Sequence, residues 1–395
     1  MAAFNLKAPP DGFVEDPYPV YAALRTEAPV LEQPDGSYVV SRYADLSRVY
    51  RDTTTFSSDK QAVFRPKFGD APLYEHHTTS LVFNDPPLHT RVRRIMVGAM
   101  TPRAIARMEP GLVALVDRLL DAIAERGEAD IIEDFATHIP LNIIGDLFDM
   151  PMQDRGPLRG WSLAILGALE PVLTPAQEAA GNRAVTEFKA YLKDLTEARR
   201  IKPGDPETDV LTRLMQSEEG ELSLDELLQN CIFILNAGHE TTTNLIGNAL
   251  AALNDHPAER ARLAGDPGLI ATAVDEFLRY ESPNQFGNRL TTRDVELSGI
   301  AIPEGTDLHL CIGAANRDET AFERAETLDL GRRPNKHLAF AGGAHTCVGL
   351  SLARLEGSVA VGRFLNRFPN YAITDRQRSP RLRFRGFTRL GVSAV

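Results

Sequence analysis

Residues 340–349 read Phe-Ala-Gly-Gly-Ala-His-Thr-Cys-Val-Gly, a glycine-rich loop that leads into an apolar helical run from Leu350 to Phe364. Glycines at this density let a backbone approach a large flat ligand closely. A cysteine at the start of the following helix lies near unpaired N–H groups and the positive end of the helix dipole, and both lower the pKa of a thiol. The thiolate is the form in which cysteine binds a metal. Taken alone, however, Cys347 is more simply interpreted as a small buried hydrophobic side chain.

Cysteine usage and charge exclude several classes of protein. The 395 residues contain three cysteines and no Cys-x-x-Cys pair, so the sequence favours neither a disulfide framework nor a zinc site of His345 and Cys347. The 43 Lys and Arg against 54 Asp and Glu give a net charge of -11, which disfavours binding to nucleic acid or anionic lipid. There is no apolar signal core and no apolar run of ~18 residues. We therefore expect a cytoplasmic protein without nucleic-acid or membrane partners.

Apolar spacing predicts a mainly α protein with small β-sheets, folded as a single domain over residues 1–395. A helix is expected over Tyr18–Glu27, followed by a hairpin around Pro34-Asp35-Gly36. The longest helix is expected to begin at the capping box Ser223-Leu-Asp-Glu226 and to end at Asn254. At about 1.5 Å per residue it spans roughly 48 Å. A final helix and a terminal hairpin follow the cysteine loop.

The pattern Phe-x-x-Gly-x-His-x-Cys-x-Gly resembles the haem-binding signature of the cytochromes P450. The resemblance implies the P450 fold, in which a long central helix lies over haem b (iron protoporphyrin IX), with Cys347 as the thiolate ligand of the iron. The other loop residues that would contact the haem are Phe340, Gly343, His345 and Gly349. Ala341 departs from the family, which usually has glycine there. A methyl group should be tolerated there if the local backbone has a negative φ, so this departure bears on the detail of the loop and not on ligation.

The long helix carries the sequence Ala237-Gly-His-Glu-Thr241 within an apolar run. By itself this interruption is equally well explained by a kink or a solvated stripe. It resembles the oxygen-activation motif of the cytochromes P450. The resemblance implies that Ala237 and Gly238 approach the cofactor, that Thr241 is the catalytic hydrogen-bond donor, and that Glu240 belongs to the proton relay.

The sequence Glu276-Phe-Leu-Arg279 places an acid and a guanidinium on one face of a helix. Any solvated helix can carry such a pair, so the pattern alone is weak. It resembles the Glu-x-x-Arg motif of the family. The resemblance implies a structural ion pair that ties this helix to the segment before the cysteine loop.

A further helix is expected after Asp85-Pro-Pro, with Asp85 as its N-cap. His89 and Arg93 share one face of this helix and, taken alone, form an ordinary charged surface. The resemblance implies that they bind the haem propionates together with Arg289 and His345, since cationic donors suit a buried pair of carboxylates.

The resemblance implies a monooxygenase that uses O2 to hydroxylate or otherwise oxidise a small hydrophobic organic substrate. No flavin or nicotinamide domain fits in the chain, so we expect a separate ferredoxin or flavodoxin and its reductase to supply electrons. Arg91, Arg94 and Arg354 could form a basic docking patch for an acidic ferredoxin. The expected substrate contacts are Leu81, Ile234, Phe286 and Phe387.

Three alternatives stay open from the sequence. A peroxygenase of the same family would use hydrogen peroxide directly, although the acid and alcohol of the long helix favour the O2-dependent cycle. A non-catalytic haem sensor would need neither proton relay nor redox partner. A helical protein without haem would leave Cys347 an inert core residue.

Overall fold

The computed structural model describes residues 4–216 and 222–394, and most of these residues are helical. The helices are α1 (Tyr18–Glu27), α2 (Tyr43–Arg51), α3 (Gln61–Phe68), α4 (Pro72–Thr79), α5 (Leu88–Ala99), α6 (Pro102–Arg126), α7 (His138–Leu147), α8 (Leu158–Gly167), α9 (Pro175–Ile201), α10 (Val210–Gln216), α11 (Leu224–Asp255), α12 (Pro257–Gly265), α13 (Ile270–Tyr280), α14 (Ile312–Ala315) and α15 (Leu350–Arg367). The strands are β1 (Val30–Glu32), β2 (Tyr38–Val40), β3 (Phe56–Ser57), β4 (Glu128–Asp130), β5 (Phe286–Thr291), β6 (Val295–Leu297), β7 (Ile300–Ile302), β8 (Asp307–Cys311), β9 (Ala372–Arg378) and β10 (Phe387–Ser393). None of these helices is both long enough and apolar enough to cross a membrane.

Local signals fix several of these elements. Helix α1 has the predicted bounds. The capping box at the start of α11 is formed as predicted, because the Ser223 N–H donates to Glu226 Oε2 at 2.8 Å and the Glu226 N–H donates to Ser223 Oγ at 3.2 Å. Strands β1 and β2 pair in antiparallel register, with Val30 opposite Val40. The predicted mainly α fold with small sheets is confirmed.

The start of α5 differs from the prediction. Helix α5 begins at Leu88 after Pro87, which makes no side-chain cap. The Asp85 carboxylate accepts a hydrogen bond from the Ser58 N–H at 2.9 Å. The expectation of an Asp85 N-cap is therefore wrong, because the two prolines precede the first turn of the helix instead of occupying it.

The chain divides into two compact units, and the first comprises the described residues of Met1–Ser57, Gly111–Ile139 and Thr241–Val395. It contains all the described strands. Their orders are β1-β2-β8-β5-β3, β4-β10-β9 and β6-β7. The core of the larger sheet packs Val40, Leu308 and Leu310 against Leu46 and Tyr50 of α2.

The second unit comprises Ser58–Pro110 and Pro140–Glu240, and its regular elements are helical in the part that the structure describes. Helix α8 packs on α9, where the Trp161 ring stacks on Phe188 with ring centroids 4.7 Å apart. A Cβ at Gly181 of α9 would meet Leu73 of α4 at 2.9 Å, so glycine permits close packing of these two helices. The organisation of residues 1–395 as a single domain stays a prediction.

Candidate functional site

The glycine-rich loop places Cys347 two residues before Gly349, which flanks the N-terminus of α15. The Cys347 N–H donates to the Phe340 carbonyl oxygen at 3.0 Å and closes the loop. The Cys347 side chain is exposed, whereas Cys231 and Cys311 are buried. Burial raises the pKa of Cys311 to about 12, and it also raises the pKa of Cys231, so both remain thiols at neutral pH. Exposure contradicts the simpler interpretation of Cys347 as a buried core residue.

Tyr50 of α2 holds this loop in place. Gly343 has a φ of +65°, and a Cβ there would collide with the Tyr50 carbonyl oxygen. A Cβ at Gly342 would meet Tyr50 Cβ at 3.4 Å. The Arg289 guanidinium of β5 lies 5.3 Å from the centroid of the Tyr50 ring. One buried aromatic residue thus contacts both the cysteine loop and a predicted propionate donor, and the sequence analysis did not single it out.

Ala341 does not have the negative φ at which a methyl group is tolerated without strain. Its φ is +57°, in the left-handed region. The Ala341 N–H donates to the Leu338 carbonyl oxygen at 2.8 Å. This tight turn leaves Ala341 in a backbone conformation that glycine adopts more easily.

The Glu276 carboxylate collects donors from several chain segments. Glu276 and Arg279 are both 0% exposed and form a two-pronged ion pair with N–O distances of 2.8 Å. Glu276 also accepts from Arg332 Nε at 3.1 Å and from Asn335 Nδ2 at 3.1 Å. The Asp329 N–H donates to it at 2.9 Å. The ion pair of α13 therefore anchors residues 329–335, which lead to the cysteine loop.

A second contact joins α13 to α15. Asp275 accepts from Arg354 Nε at 2.8 Å and lies 3.3 Å from His337 Nε2. The Arg354 guanidinium lies 5.1 Å from the centroid of the Phe340 ring. Arg354, predicted in the docking patch, therefore supports the loop. Arg91 of the same predicted patch is paired with Glu226 at 2.5 Å.

The half-buried positions of helix α11 lie on one narrow face. Between residues 231 and 250 every position is buried except Phe233, Ala237, Gly238 and Thr241. Residues four apart lie on the same face of a helix, so these positions form a single stripe. Glu240, next to Thr241, is buried. The stripe contains the small residues and the hydroxyl of the predicted motif.

Gly238 has a packing role of its own. A Cβ at this position would meet Ile144 Cδ1 of α7 at 2.7 Å, so glycine lets α11 and α7 pack closely. The prediction for Gly238 is a different role, in which the missing side chain lets a cofactor approach the helix. His239 is buried beside it, and burial, with a smaller contribution from Arg159, lowers the pKa of His239 to about 4. His239 is therefore neutral at pH 7.

The four predicted propionate donors fall into the two units. His89 and Arg93 lie one turn apart on α5, and His89 is buried. Arg289 is buried on β5, and His345 lies in the short turn Gly343–His345 that precedes Cys347. Each unit thus supplies two cationic or imidazole donors.

The four predicted substrate contacts are all buried apolar side chains. Leu81 lies in a short turn and Ile234 lies on α11. Phe286 belongs to a core cluster in which its ring centroid is 6.1 Å from that of Tyr21. Phe387 lies 4.0 Å from the Arg378 guanidinium. Phe286 and Phe387 therefore both have packing partners within their own unit.

Comparison with known proteins decides the family. The family description "Cytochrome P450" matches residues 161–265 and 269–390. The chain is 36% identical over 365 residues to a vitamin D(3) 25-hydroxylase of Pseudonocardia autotrophica, covering 91% of this chain and 88% of the relative. The chain belongs to the cytochrome P450 family. The family is one of haem-dependent monooxygenases, so this P450 is an oxidoreductase.

Further relatives of this P450 agree. It is 33% identical over 370 residues to 6-deoxyerythronolide B hydroxylase of Saccharopolyspora erythraea, covering 91% of this chain and 90% of the relative. Among solved structures, CalO2 superposes with a TM-score of 0.93 at 29% identity, covering 100% of this chain and 99% of that chain. P450BioI in complex with an acyl carrier protein carrying hexadec-9Z-enoic acid gives a TM-score of 0.91 at 31% identity, covering 96% and 99%. The predicted P450 fold is confirmed.

The residues present in this P450 fit a haem. An exposed cysteine at the end of a glycine-rich loop suits a single thiolate ligand. Within residues 4–216 and 222–394, no group of three or more His, Cys, Asp or Glu could hold a metal ion without help. A cofactor that brings the other ligands of its iron with it matches this set of donors.

Replacing Ala341 with glycine is expected to raise the free energy of unfolding of this P450. Alanine at positive φ costs roughly 1–2 kcal/mol, and the greater freedom of unfolded glycine offsets part of the gain, which leaves about 0.5–1 kcal/mol. Chemical denaturation followed by circular dichroism measures this difference. Ala344→Gly is the control, because Ala344 lies in the next turn without a positive φ. Ala344→Gly should lower the free energy of unfolding. If Ala341→Gly lowered it as well, the proposed backbone strain at Ala341 would be contradicted.

Proposed function

We propose that this P450 holds haem b through the Cys347 thiolate and oxidises a small hydrophobic organic substrate with O2. Its electrons come from a separate ferredoxin or flavodoxin and its reductase, and it works in the cytoplasm. The observation that carries the proposal is the exposed Cys347 side chain at the closed end of the glycine-rich loop. The two other cysteines are buried.

The residues that would hold the haem are those of the P450 resemblance. Cys347 is the iron ligand, and Arg289, His345, His89 and Arg93 neutralise the two propionates. When bound, the haem supplies electron-driven activation of O2. The chain's own part is to keep the sulfur in place, and the Tyr50 contacts with Gly342 and Gly343 support that role.

Proton delivery is the task that we assign to two residues of α11. The Glu240 carboxyl moves protons from the buried side of the helix, and the Thr241 hydroxyl passes them to the half-buried stripe. The side chain of Ala237 is only a methyl group, so a flat group can lie close to the helix at this stripe. A buried acid next to a half-buried alcohol suits ordered transfer, because bulk water has little access to the carboxyl.

The substrate is a separate small molecule, and the electrons are supplied by a separate redox protein. Leu81, Ile234, Phe286 and Phe387 are apolar, which favours a hydrophobic substrate. The relatives named as hydroxylases of vitamin D(3) and of 6-deoxyerythronolide B support an organic substrate. The matches to these relatives extend over about nine tenths of the chain.

Thr241→Ala is the variant that tests the proposed proton route. A panel of hydrophobic compounds is first screened for a change in the spin state of the haem, and one ligand is then followed with NADPH, ferredoxin and its reductase. The product formed per NADPH should fall by about tenfold or more in Thr241→Ala, with the lost electrons recovered as hydrogen peroxide. Haem content should stay normal.

Thr242→Ala is the control for this experiment. Thr242 has the same side chain but is buried on another face of α11. We expect its coupling to remain close to that of the unchanged protein. If the unchanged protein, Thr241→Ala and Thr242→Ala formed equal amounts of product per NADPH, Thr241 would not belong to the proton route. Turnover with hydrogen peroxide alone, and none with NADPH and redox partners, would overturn the O2-dependent function.

A further inference from the structure

The first unit contains a polar cavity of about 610 Å³ that the proposed haem chemistry does not use. Its walls come from α1, the C-terminal part of α11, the end of α13 and the segment around β9. The size lies within the range of small-molecule sites in proteins. None of the residues proposed to hold haem lines this cavity. Its chemistry is that of guanidinium and carboxylate groups.

Three arginines converge on one buried carboxylate in the cavity wall. Glu281 Oε1 accepts from Arg385 Nε at 2.5 Å and from Arg378 Nη2 at 3.0 Å, and Glu281 Oε2 lies 3.5 Å from Arg317 Nη2. The side chains of Arg317 and Arg385 are 7% exposed, and Glu281 is 9% exposed. The three guanidiniums overcome the effect of burial and lower the pKa of Glu281 to about 2. Glu281 therefore carries a full negative charge.

The other carboxylates of the lining do not balance the buried charge. Asp255 and Glu326 are 44% and 56% exposed, and Glu15 and Asp16 are also exposed. Exposed charges are screened by water and salt, so they contribute little at a buried point. At the inner wall, the buried guanidiniums of Arg317 and Arg385 and the partly buried one of Arg378 face the buried Glu281 carboxylate, and Glu326 pairs with Arg317 at 2.9 Å. The inner wall carries a net positive charge.

Arg378 is the arginine with spare donors. Its Nη1 donates to Asn248 Oδ1 at 3.1 Å and its Nη2 donates to Glu281, while no described residue accepts from its Nε–H. A guanidinium has five N–H groups, so three remain. By contrast, all three nitrogens of Arg385 donate to Glu281 or to backbone carbonyls. Arg317 lies between the rings of Tyr18 and Tyr280, 3.3 Å and 3.9 Å from their centroids.

The electrostatic environment of Arg378 is consistent with a missing counter-charge. Burial lowers the pKa of its guanidinium, Glu281 opposes this effect, and the positive charges of Arg385 and Arg376 add to it. The cationic form is therefore less stable than that of an ordinary arginine. A second anion next to Arg378 would reverse this penalty.

We propose that this cavity binds a small oxyanion, a phosphate or a carboxylate group, through the free N–H groups of Arg378. Arg376 stands at the outer side, where it donates to both oxygens of Asp255 at 2.8 Å. Asp255 competes with the incoming anion for Arg376 and repels it. None of the residues proposed to hold haem lines this site, and its one link to the proposed substrate contacts is the Arg378 guanidinium, which lies 4.0 Å from the centroid of the Phe387 ring.

Isothermal titration of the haem-loaded protein tests the site. Sodium phosphate and sodium citrate are titrated separately at constant ionic strength, and the tighter ligand distinguishes a phosphate from a carboxylate site. We expect saturable binding to one site per chain. Arg378→Gln should weaken the Kd by about tenfold or more, because hydrogen bonds to a charged group are lost. Asp255→Asn should tighten it by about two- to fivefold.

Arg389→Gln is the matched control, since Arg389 is exposed on β10, pairs with Asp375 and does not line the cavity. Its Kd should be unchanged. Should Arg378→Gln fail to fold, Arg376→Gln replaces a solvated arginine and should still weaken binding. No saturable binding of either anion would overturn the proposal. Equal weakening in Arg378→Gln and Arg389→Gln, or weaker binding in Asp255→Asn, would also overturn it.

Discussion

Replacing Cys347 with alanine is expected to remove the thiolate signature and the oxygenase activity together. The reduced protein with carbon monoxide should lose its strongly red-shifted Soret band, because that shift reports an anionic sulfur on the iron. Substrate turnover should fall by on the order of 10³-fold or more. The reduced carbon-monoxide difference spectrum and product formation measure the two effects.

Cys311→Ala provides the comparison for this variant. Cys311 is buried in the core cluster of the first unit and stays a thiol, so its removal affects packing and local hydrogen bonds but no proposed haem contact. Its spectrum should keep the red-shifted band, even if stability falls. A normal band and normal turnover in Cys347→Ala would overturn the ligand assignment and, with it, the proposed function.

Arg279→Ala is expected to be the most damaging substitution outside the proposed haem contacts. It leaves the Glu276 carboxylate buried with one of its two guanidinium partners gone, and breaking a buried pair in this way costs about 3–5 kcal/mol. Arg279 also donates to the carbonyl oxygens of Asn316 and Ala325, and these bonds would be lost. Urea denaturation followed by circular dichroism measures the free energy of unfolding. The haem content shows whether the cysteine loop still binds the cofactor.

Helix α12 offers a matched control for Arg279. Glu259 and Arg262 form an ion pair with the same spacing, but the Arg262 side chain is 43% exposed. Arg262→Ala should cost about 1 kcal/mol or less. The double variant Glu276→Gln with Arg279→Met should lose less stability than Arg279→Ala, since no uncompensated charge remains. If Arg279→Ala lost no more free energy of unfolding than Arg262→Ala, the stabilising role of the buried Glu276–Arg279 pair would be refuted.

These two pairs show where sequence reasoning reached its limit. Both Glu259 to Arg262 and Glu276 to Arg279 have the i,i+3 spacing of a helical pair, and this spacing does not tell them apart. Burial separates them, and burial depends on residues 316–335, which are distant in sequence. Only the family resemblance singled out the second pair. The contributions of Arg332 and Asn335 could not be derived from spacing.

Features governed by short-range physics were predictable. The bounds of α1 and the capping box of Ser223 and Glu226 depend on a few adjacent residues, and the sequence specified both. The hairpin of β1 and β2 follows from a turn of three residues. Each of these elements is decided by contacts within about one turn of chain.

Features that depend on contact between distant segments were missed. Tyr50 lies almost 300 residues before Gly343, and no local pattern links the two. The positive φ of Ala341 belongs to a tight turn, and the residue type alone does not indicate it. The Asp85 carboxylate accepts from the Ser58 N–H, a residue 27 positions away that no local pattern indicates.

The anchoring of residues 329–335 by Glu276 has a consequence for assembly. The donors described for that carboxylate all belong to the polypeptide, so this anchor requires no bond to a prosthetic group. We therefore expect the segment that leads to Cys347 to be ordered in the apoprotein. Under the proposed ligation, insertion of the macrocycle has to form the bond to sulfur, but it does not have to shape the chain that presents it.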